Sequence, residues 1–204
     1  MARQYMSTEK RREQIFEAAL QILKEDGAEK LTIKNIAGML GIVSSGIYKH
    51  YGSKEKIVEL VLLRIREEMK SEFIKIVESN DSPIGKLDAL VRFHSSYIFE
   101  KLGASKRFVT LEILIHFPEM KSIVKENMKV TRIMVAGLLS VTDKHVFNHQ
   151  DVGVDFYTDE VMRLIQFPIV QYSLFGDEFD VVDKIWQDWL TLKKIIFIRG
   201  YDGI

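Results

Sequence analysis

The chain contains no cysteine, which removes disulfides, thiolate metal sites and cysteine nucleophiles together. It has no net charge either, with 29 Lys/Arg against 29 Asp/Glu. No stretch reaches the roughly 18 apolar residues of a membrane span, and the N-terminus, with Arg3, Lys10, Arg11 and Arg12, lacks the apolar core of an export signal. These absences predict a soluble, cytoplasmic protein without disulfides. No Ser/His/Asp arrangement, phosphate-cradling glycine loop or HExxH pair is present, so neither catalysis nor a cofactor is expected. Of the three prolines, Pro83 and Pro118 stand where helices can open, and Pro168 interrupts an apolar helical pattern that it is expected to kink.

What the chain does have is helical periodicity from end to end. At 204 residues it can bury a sizeable core in one domain or two small ones. Ser7 or Thr8 can cap a first helix with an apolar stripe at Ile15, Phe16, Ala19, Leu20 and Leu23, stopped by Gly27. Next comes LTIKNIAGMLGIVSSGIYKHYGSK, residues 31–54. Ile33, Ile36, Ala37 and Leu40 keep the i, i+3, i+4, i+7 spacing of one helix face behind Thr32 as N-cap, and Gly41 ends that helix. After a turn of about three residues, Ser44 or Ser45 can cap a second helix with Ile47 and Tyr51 facing inward. Tyr48, Lys49 and His50 then point elsewhere. Two short helices joined by a tight turn make a helix-turn-helix, the unit that lays its second helix in the DNA major groove.

Charge distribution agrees with that reading. Residues 1–54 hold nine Lys/Arg against six Asp/Glu, so the N-terminal part is mildly basic although the whole chain is neutral. Ser44, Ser45 and Gly46 open the recognition helix, where backbone N–H groups approach bases and phosphates. Lys49 suits guanine N7 and O6 or a phosphate, and the polar tips of Tyr48 and His50 suit phosphate oxygens.

The segment TIKNIAGMLGIVSSGIYKHYGSKEKIV resembles the N-terminal domain of the tetracycline-repressor (TetR) family of bacterial transcription regulators. The matching positions are Ala37, Gly41, Ile47, Tyr48, His50, Tyr51 and Lys54, and the resemblance covers residues 8 to 60. It implies an all-α protein with a three-helix DNA-binding domain at 1–54 and an effector-binding and dimerisation domain at 55–204, about nine helices altogether. It also implies that Thr32, Lys34 and Lys54 contact DNA, and that the partners are double-stranded DNA, a small-molecule effector and a second copy of the chain. Val43 and Gly46 depart from the family, which often has hydroxyl residues there.

Beyond residue 54, a helix from Ser53 to about Ile76 links the halves, and others follow Ser82–Pro83, Phe108 and Pro118. An effector pocket is expected among Phe93, His94, Tyr97, Phe108, His116, Phe117, Met120, Met128 and Met134, against the plainer reading of an ordinary core. Residues 142–157 break the pattern. His145, His149, Asp151 and Asp155 lie close together there, but a solvated loop explains them better than a metal site. Thr158 is expected to cap the next helix, and Asp177 the last. These two helices carry broad apolar faces, and Leu164, Phe167, Val170, Leu174, Val182, Ile185 and Trp189 are expected to pair with the same helices of a second subunit as a four-helix bundle. The alternative function is a helical ligand-binding or interaction protein that does not touch DNA.

Overall fold

The computed structural model describes residues 7–102, 109–175 and 179–198. Nine α-helices occur among them: α1 (Thr8–Glu25), α2 (Ile33–Met39), α3 (Ser44–Tyr51), α4 (Lys54–Glu78), α5 (Pro83–Leu102), α6 (Val109–His116), α7 (Lys121–Ser140), α8 (Val154–Phe175) and α9 (Val181–Ile196). Short 3-10 turns precede α2, α7 and α8. The described residues contain no strand, only one antiparallel bridge between Phe147 and Phe197.

Helices α1 to α3 close over Ile15, Phe16, Ala19, Leu23, Ile36 and Ile47, all buried. Their boundaries follow local chemistry. The Ser7 hydroxyl accepts from Lys10 N–H at 3.2 Å, Thr32 Oγ1 accepts from Asn35 N–H at 3.1 Å, and Ser53 Oγ accepts from Lys56 N–H at 3.3 Å. Helix α4 then runs on for 25 residues and packs against α1, α5 and α7. Its buried stripe passes from Ile57 and Val61 beside the N-terminal helices to Met69 and Phe73 in the other half, so a single rigid rod belongs to both cores.

Helices α5, α7, α8 and α9 complete the larger half. Asp88 of α5 accepts from the Trp189 indole N–H at 2.6 Å and from Lys193 Nζ at 3.0 Å, fastening α9 to α5. Lys193 is buried, so removing Asp88 would strand an ammonium group in the core, at a cost of about 3 kcal/mol or more. Residues 142–153 are irregular yet held in place. The side-chain amide of Asn148 donates to the carbonyls of Ile195 (2.8 Å) and Phe197 (2.9 Å), satisfying the end of α9. His145 and His149 are exposed there, and no group of metal-ligating side chains forms among the described residues.

Three helix starts differ from expectation. Val43, not Ser44 or Ser45, is the N-cap of α3, and it makes no side-chain cap bond. Thr158 lies inside α8, which starts one turn earlier at Val154; fully buried, its hydroxyl donates to Val154 O at 2.8 Å. Asp180 caps α9 by accepting from Asp183 N–H at 2.8 Å. Asp177 lies outside the described residues. Helix α8 continues through Pro168.

Candidate nucleic-acid interface and effector cavity

The turn between α2 and α3 is set by two hydrogen bonds and one glycine. Ile42 N–H donates to Ala37 O at 3.0 Å and Gly41 N–H to Gly38 O at 3.2 Å, the paired closure in which the residue after the cap takes a left-handed conformation. Gly41 sits at φ 63°, which a side chain would strain. Three residues later α3 begins, with Ile47 fully buried beneath it and Tyr51 half-buried, its hydroxyl donating to Arg12 O at 3.3 Å. That anchoring fixes the opposite face of α3 outward. Val43 is 72% exposed, and Ser44, Ser45, Tyr48 and Lys49 are exposed beside it.

Of the remaining expected contacts, Lys34 is exposed, while Thr32, Gly46, His50 and Lys54 are partly covered. Burial, followed by the charges of Lys49, Arg12 and Arg11, holds the His50 pKa below its ordinary value. At neutral pH it is therefore an uncharged hydrogen-bonding group. Lys54 Nζ stands 4.9 Å from the Phe117 ring centroid, so this cation touches the larger half as well as opening α4.

The larger half contains a cavity of about 130 Å³, partly open to solvent, between α4, α5, α6, α7 and α8. Leu62, Ile65 and Met69 come from α4, His94 and Ile98 from α5, Thr110 from α6, Asn127 and Thr131 from α7, and Met162, Gln166 and Ile169 from α8. Of the residues expected to line a pocket, His94 and Met128 do so. Phe93 instead packs edge-on against Phe73 and beside Tyr97. The Tyr97 hydroxyl donates to Glu68 Oε2 at 2.6 Å. Phe117 and Met120 are core, Met134 is half-buried, and His116 is exposed. Phe108 lies outside the described residues. Sequence reasoning missed the α4 and α8 walls, since an apolar residue facing a cavity has the same periodicity as one facing a neighbour. The one available signal was Asn127 with Thr131, two polar residues at i, i+4 on the inner face of an amphipathic helix.

Two sets of contacts join α4, α5 and α6, which contribute to the cavity wall, to the N-terminal helices. Arg64 of α4 pairs with Glu13 of α1 at 2.7 Å and with Glu68 at 3.3 Å, and Glu68 in turn holds Tyr97 and Lys101 of α5. In α6, two residues from Thr110 in the cavity wall, Glu112 Oε2 accepts from Ala28 N–H at 3.0 Å.

On the outer side, α8 and α9 leave a shallow groove with Leu164, Phe167, Pro168 and Leu192 as its apolar part and Glu160, Arg163 and Asp188 beside them, with Phe167 60% exposed. Val170 and Val182 are half-buried. Ile185 and Trp189, expected at a subunit contact, are instead fully buried within the protomer on the face turned to α5. An apolar stripe does not reveal which partner it meets. The Leu174 side chain lies outside the described ones.

Residues 15–61 match the family model for bacterial regulatory proteins of the tetR family. The chain is 31% identical over 80 residues to the HTH-type transcriptional repressor KstR2 of Mycolicibacterium smegmatis, 39% of either protein. It thus spans about two fifths of the length of that curated relative. The fold extends much further. A putative transcriptional regulator from Saccharomonospora viridis, crystallised with choline, superposes with a TM-score of 0.75 at 18% identity, covering 94% of this chain and all of that one. The ketosteroid regulator KstR2 of Mycobacterium tuberculosis gives 0.65 at 21% identity, covering 97% of this chain and 99% of that one.

Proposed function

We propose that this chain, which belongs by its N-terminal domain to the tetR family of bacterial regulatory proteins, is a cytoplasmic dimeric transcriptional repressor that holds a palindromic operator and releases it when a small effector enters the helical cavity. The observation that carries the reading is the division of α3 into two faces. Ile47 is locked into the core, while Ser44, Ser45, Tyr48 and Lys49 stand exposed on a helix short enough to enter a major groove. Lys34, His50 and Lys54 flank it, and phosphate contacts from Lys34 and Lys54 would set its register.

Effector control follows from α4 and α6, because each lines the cavity and each touches the N-terminal domain. A ligand that fits only one arrangement of these helices shifts the population toward it, and a reading helix that has moved no longer matches its half-site. The outer α8–α9 groove is the proposed dimer face, with Leu164 and Phe167 in it and Val170 and Val182 as further contacts on the same two helices. Choline is not carried over from the structural neighbour, since the cavity offers neither a carboxylate nor a Phe, Tyr or Trp ring to a quaternary ammonium. Relatives matched by sequence are named as transcriptional repressors and others as nucleoid occlusion factors, and this chain is proposed to be a regulator rather than an enzyme.

A mobility-shift assay with the DNA upstream of the chain's own gene tests the proposal. Two chains bound per fragment supports it. A helical ligand-binding or interaction protein would leave the fragment unshifted at low salt.

A further inference from the structure

The cavity between α4, α5, α6, α7 and α8 has an uncharged lining and two polar atoms without partners. No Lys, Arg, Asp or Glu is among its lining residues. The Asn127 amide is oriented by its own nitrogen, which donates to Leu62 O at 3.0 Å, and this leaves Oδ1 as a buried acceptor facing no donor. His94, only 8% exposed, likewise has no partner for Nδ1. Protein interiors rarely leave such groups unpaired, since each forfeits the hydrogen bonds it would make in water. Both residues line the cavity, so small side-chain adjustments can present these two atoms to a ligand that supplies the missing partners.

Size narrows the choice. A cavity of about 130 Å³ is close to those that accept a benzene-sized guest and is well below the space a drug-sized molecule fills. Charge narrows it again. A carboxylate or phosphate would enter with no counter-cation, and burying such an ion unpaired is prohibitive.

Building on the effector-cavity reading above, we propose that the ligand is an uncharged, largely apolar molecule about the size of a substituted benzene ring, whose hydroxyl donates to Asn127 Oδ1 with His94 Nδ1 as the second polar neighbour. Leu62, Met69, Met128 and Met162 would surround its apolar body, the methionines adapting to its outline.

Benzyl alcohol, toluene and benzoate are matched in shape and separate the chemistry. Calorimetric titration of each into the full-length protein without DNA should show benzyl alcohol binding about ten-fold more tightly than toluene, and benzoate not measurably, because one satisfied buried hydrogen bond is worth roughly that factor. Asn127→Leu should erase the preference while toluene still binds. His94→Leu, which leaves the Asn127 carbonyl in place, should reduce it without erasing it. Equal binding of benzyl alcohol and toluene by the wild-type protein would overturn the assignment. So would benzoate binding as tightly as the alcohol, an unchanged preference in Asn127→Leu, or no binding of any of the three. Because DNA is absent, these outcomes do not depend on the regulatory reading. Benzyl alcohol that binds as described but leaves operator affinity unchanged would refute effector control and keep the ligand assignment.

Discussion

His94 combines a buried imidazole with an unpaired nitrogen, and burial alone lowers its pKa from 6.5 to about 4. The unfolded chain therefore takes up a proton first as the pH falls. The His94 contribution to stability should be constant above about pH 6.5, decline by up to about 3 kcal/mol between there and pH 4, and level off below, where the folded imidazole protonates too. Urea midpoints across that range check this, and His94→Leu should remove this component, leaving it as the difference between the two profiles. Gly46 is a second residue with a definite expectation. It lies within α3 at an ordinary φ, and a Cβ there would meet only Ile42 Cδ1 at 3.7 Å. Nothing steric requires glycine, so Gly46→Ala should raise stability by about 0.5–1 kcal/mol in the same urea experiment. The family hydroxyl missing at this position would also fit.

Helix termini show what could be read in advance and what could not. Thr32 caps the helix that its position predicted, Ser7 does so of the pair Ser7 and Thr8, and Ser53, expected as the first residue of a long helix, caps it, each being a hydroxyl residue before an apolar stripe. Thr158 carried the same signature, with Asp159 and Glu160 behind it, yet the helix had already begun. The preceding segment is strapped to the end of α9 through Asn148, and Tyr157 donates to His149 O at 2.8 Å, contacts spanning distances no local pattern encodes. Cavity walls were opaque for a related reason, because whether Ile65 or Met162 meets a void or a neighbour depends on how five helices converge. In α3, by contrast, the inward Ile47 and the exposed Tyr48 and Lys49 follow directly from helical period. The α6 link was likewise invisible, as Glu112 and Ala28 stand 84 positions apart. Glu112→Ala should lower stability by about 1 kcal/mol and weaken the coupling between cavity and operator, measured as a smaller ratio of operator affinities without and with a bound effector.

At the scale of the whole molecule, the proposed repressor requires two copies. One α3 covers a single half-site, and symmetry supplies the second about one helical turn or a multiple of it away. Phe167→Glu places a charge in the middle of the exposed α8–α9 groove and should shift the protein from dimer to monomer by sedimentation, with helical content unchanged in circular dichroism. The decisive measurement is the dependence of operator affinity on salt, followed by fluorescence anisotropy, for the wild-type protein and Lys49→Ala. Each phosphate neutralised contributes a slope of about −0.9 in log K against log salt. Binding through α3 predicts a steep wild-type slope, with Lys49→Ala losing affinity and, if it grips a phosphate, about one contact per subunit from that slope. Wild-type affinity and slope retained in Lys49→Ala would contradict a reading helix at α3.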